Sequence, residues 1–358
     1  MRSESERALR RALVLTGGAA RGVYAAGVLE SLLAAESFDI VCGSSVGALN
    51  GLPVALDRPD LLKTLWRSIA GAHVLRTAEP LASLLAVRRH PVRGLLRTLS
   101  ALGRLKELRS MLGFYDQTPM RELLRPYASV AAIKRTMIVG VTDLTRGGNA
   151  SFALFRGDDA AERERAYFAA QADAHRLTDA NVLDALCASS ALPGAFAPVS
   201  VTLEDGTPAQ FADGGLSNNA PIRQAIDAGA DHVTVILLQH SGLQYRDRRV
   251  PTLGHLAATV HDIVAEHILE LELKFARAVN EQVHHGSAPE GKRFVDLRVI
   301  GPTVPLRLAS LAFGRQADID RVFELGAADG LAAVETARRL GASSAPAALT
   351  SGDRDGES

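Results

Sequence analysis

The stretch that decides the fold is Phe38-Asp39-Ile40-Val41-Cys42-Gly43-Ser44-Ser45-Val46-Gly47-Ala48-Leu49-Asn50. Five residues of strand character run into a Gly/Ser turn, and from Val46 the pattern becomes helical. A fully apolar strand feeding a helix through a tight turn is the unit of a parallel sheet covered on both faces. Within it lies Gly43-Ser44-Ser45-Val46-Gly47, a G-x-S-x-G at a strand-to-helix elbow. Such an elbow forces its serine into a tight backbone turn with the hydroxyl exposed at the sheet end. The glycines keep neighbouring side chains clear, and the helix N-terminus favours developing negative charge. Ser45 is the expected nucleophile, with Gly43, Ser44, Val46 and Gly47 forming the elbow around it.

Upstream stands a second unit of the same kind. Ala12-Leu13-Val14-Leu15 is a short apolar strand, Thr16-Gly17-Gly18-Ala19-Ala20-Arg21-Gly22 a glycine loop, and Val23 to Ala35 a helix with apolar residues at Val23, Ala26, Leu29, Leu32 and Leu33. The loop has no Walker lysine, since Val23 and Tyr24 follow Gly22, and its spacing is not G-x-G-x-x-G. A third reading fits the neighbouring serine. Backbone N–H groups of Gly17, Gly18, Ala19, Ala20, Arg21 and Gly22 form an oxyanion hole, with Arg21 adding positive potential.

A serine nucleophile needs a proton acceptor. Phe211-Ala212-Asp213-Gly214-Gly215 places an acid at a strand end, where Gly214 and Gly215 turn the chain sharply. Asp213 is therefore the expected base; an isolated Asp-Gly would read as a surface turn. No histidine sits in a recognisable motif. His255, His261 and His267 fall on one amphipathic helix and read as packing or surface residues. Glu266-His267 has no second histidine three residues on, so no metal site is expected, and no cofactor.

These motifs reach a family. The glycine loop, Gly43 to Asn50 and Asp213-Gly214-Gly215, in that order and spacing, resemble the patatin-like phospholipases. So do Asp116-Gln117-Thr118-Pro119-Met120, Ala188 to Phe196, and Asn219-Ala220-Pro221 with Ala225 to Ala230. The resemblance covers about Ala12 to Leu238. It implies a Ser–Asp dyad without histidine, matched by Ser45 and Asp213, and an oxyanion hole from the Gly17–Gly22 loop. One position departs from the pattern: the loop's usual third glycine is Ala19. The change is mild where only backbone N–H groups act.

Further strands are expected at Thr136 to Val141, Ala209 to Ala212, His232 to Leu238 and Phe294 to Ile300. Helices are expected at Asp60 to Ala70, Ala180 to Ser189, Pro221 to Ala228, Leu256 to Gln282 and Ile319 to Leu340. The expected fold is a three-layer α/β/α domain with a mostly parallel central sheet. Residues 1–11 form an N-terminal extension, 12–240 the catalytic domain, 241–341 a helical and strand region completing the fold, and 342–358 a disordered tail rich in Ala, Ser, Pro, Gly and Asp.

The 358 residues are 47% hydrophobic, which excludes a disordered chain, and carry 40 Lys+Arg against 40 Asp+Glu, which argues against a nucleic-acid partner. Two cysteines, Cys42 and Cys187, exclude a disulfide scaffold and fit a reducing compartment. No apolar run approaches the roughly 18 residues of a membrane span, and Met1 to Arg11 leads into no signal-peptide core. A cytoplasmic address is expected. The zero balance is an average, however. Leu81 to Leu112 holds Arg88, Arg89, Arg93, Arg97, Arg104, Lys106 and Arg109 against the single acid Glu107. Leucines recur there at every third or fourth position. Such a basic amphipathic region reads either as a contact with an anionic membrane surface or as a solvated face over the core.

The expected activity is hydrolysis of lipid acyl esters, of the phospholipase A or lysophospholipase type, on a lipid or lysolipid substrate. Two rivals share the motifs: an acyltransferase using the same acyl-serine, and a non-catalytic lipid-binding scaffold.

Overall fold

A computed structural model describes residues 9–71, 76–77, 113–239, 253–308, 313 and 315–343. The seven basic residues Arg88, Arg89, Arg93, Arg97, Arg104, Lys106 and Arg109 lie outside the described residues, as do the first eight residues and residues 344–358.

The strands are β1 (Arg11–Leu15), β2 (Ile40–Ser44), β3 (Arg76–Thr77), β4 (Gly113–Asp116), β5 (Thr136–Asp143), β6 (Gly148–Leu154), β7 (Ala174–Arg176), β8 (Gly194–Phe196), β9 (Val199–Thr202), β10 (Pro208–Asp213), β11 (His232–Ile236) and β12 (Asp296–Ile300). The helices are α1 (Gly22–Leu33), α2 (Val46–Ala55), α3 (Asp60–Gly71), α4 (Thr118–Leu124), α5 (Ala160–Ala170), α6 (Val182–Ser189), α7 (Ile222–Asp227), α8 (Leu253–His284) and α9 (Gln316–Ser343).

The main sheet runs β12-β11-β1-β2-β5-β10-β9, with β6 on β5 and β7 on β6; β3, β4 and β8 form a small second sheet. From β12 to β5 every pairing is parallel. Beyond β5 the sheet turns antiparallel, through β6, β10 and β9. It is therefore mostly parallel, as expected, with an antiparallel flank that decides where Asp213 sits.

Alternation along β1 makes the three layers. Leu13 and Leu15 face one side, where they pack with α1 and α9, while Ala12 and Val14 face the other, with α5, α7 and α8. On the first side α2 and α6 cover β5 through Leu49, Leu52, Ala185 and Leu186 against Val139 and Val141. All five residues of β2 and all eight of β5 are buried, as strands covered on both faces require.

Helices α1 and α9 approach closely. A methyl group on Gly27 would lie 2.0 Å from the Phe323 carbonyl oxygen, and one on Gly326 would lie 2.1 Å from that of Tyr24. Tyr24 donates to Asp329 at 2.9 Å and Ser31 to the Ala327 carbonyl at 2.8 Å, tying the same two helices. Three elements are joined at one carboxylate. Glu36, after α1, accepts from Arg298 of β12 at 2.8 and 2.7 Å and from Arg11 of β1.

Candidate active site

Two strands deliver the central pair. β2 pairs with the first part of β5, ending with Ser44 opposite Gly140. The antiparallel strand β10 takes the next positions, with Asp213 opposite Val141. Because β6 occupies the other edge of β5 along its length, β2 and β10 share one edge and meet end to end. Ser45 follows β2 directly, and its hydroxyl donates to Asp213 Oδ2 at 2.6 Å.

The elbow is strained where the serine sits. Ser45 has φ 55° and ψ −131°, outside the regions ordinary L-residues occupy, at a cost of roughly 1–3 kcal/mol. Its neighbours hold it there. The Ser45 N–H donates to Ser189 Oγ at 2.9 Å, and that hydroxyl in turn donates to the Gly140 carbonyl at 2.6 Å. The turn also needs bare backbone on both sides. A methyl group on Gly47 would stand 2.2 Å from the Leu15 carbonyl oxygen, and one on Gly43 would stand 2.5 Å from the Gly47 carbonyl. Ser44 is fully buried behind the elbow, and Val46 begins α2.

Asp213 is 2% exposed and closely held. Its Oδ1 accepts from the Gly215 N–H at 2.8 Å, and its backbone carbonyl accepts from Thr142 Oγ1 at 2.8 Å. Gly214 passes hard against β5, where a methyl group would meet Ser44 Oγ at 2.4 Å and the Gly140 oxygen at 2.5 Å.

The glycine loop lies beside this pair, but its six residues are not equivalent. The Gly17 N–H is engaged by Asn219 Oδ1 at 2.9 Å, and the Arg21 N–H by the Gly18 carbonyl at 3.2 Å. Gly22 donates back to Ala19 and Ala20 as α1 begins. Gly18 and Ala19 line the pocket with Ser45. Ala19 holds φ 51°, the left-handed conformation that a glycine would adopt without strain.

Arg21 and His261 behave differently from their sequence reading. The Arg21 guanidinium does not lend free positive potential: it is buried against Asp262 at 2.7 Å, both side chains 5% exposed. His261, read as a packing or surface residue, is 8% exposed with Nε2 3.3 Å from Asp213 Oδ1. Burial alone would lower the proton affinity of its ring. The Asp213 charge and hydrogen bond, with Asp262 alongside, outweigh burial and the opposing Arg21, so its pKa is raised. His267 is exposed and bonded to the Ile263 carbonyl on its own helix. A signal for His261 was present in the sequence. The buried stripe Ala258, His261, Asp262, Ala265 and Leu269 of α8 carries two polar residues where the helical period calls for apolar ones. Ser189 gave no comparable signal.

The pair lies in the lining of a pocket of about 730 Å³, measured with its open mouth. Its lining is mostly apolar, with Val46, Leu49, Trp66, Ile69, Met120, Leu192, Phe196 and Phe313, while Gln117, Ser190, His261 and Asp262 add polar side chains. A second space of about 330 Å³ shares Val46, Leu49, Trp66, Ile69 and Met120 with it and runs on to Leu62, Leu65, Leu123 and Leu124. The polar atoms near this wall are satisfied: Trp66 donates to Asn50 Oδ1, and Asn50 to the Gly22 carbonyl, each at 2.8 Å. Among the described residues no group of three or more His, Cys, Asp or Glu side chains is placed to hold a metal ion, and no helix is long and apolar enough to cross a membrane.

A buried serine–carboxylate pair in the lining of a mostly apolar pocket, on a three-layer α/β/α fold, is an arrangement suited to lipid chemistry. Residues 13–226, more than half of the chain, match the family model for patatin-like phospholipases, and the chain belongs to that family. Membership brings lipid hydrolysis and lipid substrates at the level of the family. Among solved structures the chain is similar to VipD from Legionella pneumophila, at 14% identity and a TM-score of 0.40, with 94% of this chain and 69% of that one covered. No curated protein matches it.

Proposed function

We propose that the protein is a serine lipid acyl hydrolase, of the phospholipase A or lysophospholipase type, working through a Ser45–Asp213 dyad. The observation that supports this reading is the 2.6 Å hydrogen bond from Ser45 Oγ to Asp213 Oδ2, in the lining of a mostly apolar pocket. The acyl chain lies along Leu49, Trp66, Ile69 and Met120, which puts its carbonyl at Ser45. Ser45 Oγ attacks the carbonyl carbon as its proton passes to Asp213. The backbone N–H groups of Gly18 and Ala19, beside α1, hold the oxyanion. Collapse breaks the ester bond, and the departing alcohol takes the proton from Asp213. Water then attacks the acyl-serine, again giving a proton to Asp213, and Ser45 recovers its proton as the fatty acid leaves. The buried, fixed Asp213 needs no imidazole between it and the serine, because the two side chains already touch.

Contact of the basic segment 81–112 with an anionic bilayer is part of this proposal. Sedimentation with neutral and with anionic vesicles tests it, and equal binding to both counts against it.

The decisive assay follows release of fatty acid from phospholipid and lysophospholipid, and of nitrophenol from a short-chain ester, for the wild type, Ser45→Ala and Asp213→Asn. Wild-type hydrolysis with loss of about a thousandfold or more in each variant is expected. Full activity in Ser45→Ala would overturn the mechanism. Transfer of the acyl group to an added alcohol in preference to water would make the protein a transacylase.

A further inference from the structure

α8 places two consecutive buried residues on the two halves of the site. His261 meets the carboxylate that holds Ser45, and Asp262 meets Arg21 of the glycine loop. Both lie beyond residue 226, where the family match ends. The order of groups also differs from a Ser-His-Asp triad, in which imidazole stands between serine and acid. Here the carboxylate stands in the middle, with Ser45 Oγ on Oδ2 and His261 Nε2 on Oδ1.

We propose that His261 is a positioning residue for Asp213 and an acid-sensitive control on it. Resting on the dyad reading, the inference adds a residue of the pocket lining that acts on the reaction through the carboxylate, by its contact with Asp213 Oδ1. With its proton on Nε2, the neutral ring donates to Oδ1. Together with the Gly215 N–H, it fixes the carboxylate with Oδ2 turned to the serine. Little space separates the ring from the turn, since a methyl group on Gly215 would lie 3.0 Å from Cε1 and Nε2. When the second ring nitrogen takes a proton, the imidazolium opposes transfer of the Ser45 proton to Asp213, because that transfer would discharge the carboxylate it is paired with. The site is then held in its resting state.

Among the described residues, the charged groups facing the ring are Asp213 at the end of β10, Asp262 on α8 itself and Arg21 from the loop after β1. Arg21 is paired to Asp262, and the Asp213 partnership is the larger influence that raises the ring's proton affinity. The ring's raised pKa puts the transition above the ordinary histidine value of about 6.5. Activity should therefore rise as pH climbs through that transition. Stability moves the other way. A raised histidine pKa contributes stability below the unfolded value and loses it as pH rises through the folded one.

The test combines a pH–rate profile with a titration that needs no turnover. Hydrolysis of a soluble nitrophenyl butyrate is followed from pH 4.5 to 9 for the wild type, His261→Gln and His261→Phe, with folding checked by circular dichroism. The wild type should show an acid limb above pH 6.5. His261→Gln, which keeps an N–H donor and cannot titrate, should lose that limb while keeping its alkaline kcat. His261→Phe should lose about tenfold or more in kcat with little change in KM, the cost of a lost bond to a charged group. An unchanged acid limb in His261→Gln would overturn the proposal. Alongside, ring resonances of His261 are titrated by NMR in the wild type and in Asp213→Asn. A transition above 6.5 that falls below it in Asp213→Asn is expected. An ordinary value unmoved by that substitution would overturn the pairing itself, even in a protein inert on every ester. Inactivity of the wild type with the shifted titration intact would instead count against the hydrolase reading.

Discussion

Ser45 and Asp213 lie 168 positions apart in the chain, yet their side chains touch because two strands end against each other on one edge of β5. β2 stops opposite Gly140 and β10 opposite Val141, successive residues of the same strand. The distance between the two side chains is thus set by sheet register, which is stiff, and not by a loop. The two residues should behave as one unit. Ser45→Ala and Asp213→Asn should each cost about a thousandfold or more in kcat, and the double variant should be no worse than the poorer single one. Multiplicative losses, measured on the same ester, would mean that the two act separately.

Ala19 sits at φ 51°, a conformation that costs an L-residue roughly 1–2 kcal/mol. Glycine relieves that strain but gives up roughly 0.5–1 kcal/mol of chain entropy. Ala19→Gly should therefore leave the melting temperature unchanged or raise it slightly, without loss of activity. A clear fall in urea-unfolding stability would show that the alanine methyl group contributes packing that outweighs its strain.

At the contact of α1 with α9, the usual preference of helices for alanine should reverse. Gly326→Ala gains about 1 kcal/mol in helix propensity. Its methyl group would stand 2.1 Å from the Tyr24 oxygen, a backbone atom that cannot swing aside. Forcing the helices apart costs about 1–3 kcal/mol or more. Net destabilisation is expected by chemical denaturation, and Gly27→Ala, 2.0 Å from the Phe323 oxygen, should show the same sign. Stabilisation in either would refute close helix contact.

Glu36 supplies a pH dependence of known sign. Burial alone would raise its pKa, but Arg298 and then Arg11 outweigh that and hold the carboxyl below its ordinary range. A lowered carboxylate pKa contributes stability above the unfolded value, about 4.3, and loses it as pH falls through the folded one. Glu36→Gln should cost about 1–3 kcal/mol at pH 7. The gap from wild type should close below pH 4. A gap that stays constant with pH would mean that packing, not charge, is lost.

Much of this molecule was legible in its sequence because the parallel strands carry unbroken apolar runs. Ala12 to Leu15 and Phe38 to Cys42 could be little else, and the glycines around Ser45 marked the turn between β2 and α2. The antiparallel flank was harder. β6 begins Gly148-Asn149, and β7 and β9 are three and four residues long, too short for a period to show. α5 was missed because its buried face includes an arginine: Arg163 and Tyr167 are its buried residues, and Arg163 is satisfied by Asp159 and the Arg156 and Ala228 carbonyls. At the site, composition and spacing pointed to the serine, the acid and the loop that the structure brings together. They gave no access to which loop N–H groups were already engaged; for His261 they held the break in the apolar stripe of α8 but not its partner, because pairing across 48 residues depends on how α8 crosses the end of β10.

The position of β1 has a further consequence. This strand is the first element among the described residues, yet it lies inside the sheet, with β2 on one edge and β11 on the other. Its second neighbour starts at His232, after the family match has closed at residue 226. A chain cut there would retain every residue of the serine–carboxylate signature while baring one edge of its central strand and half of the cover over Leu13 and Leu15. Bare inner edges invite pairing with other chains. A boundary drawn from the signature alone would cut through the fold's middle, between β1 and its partner β11.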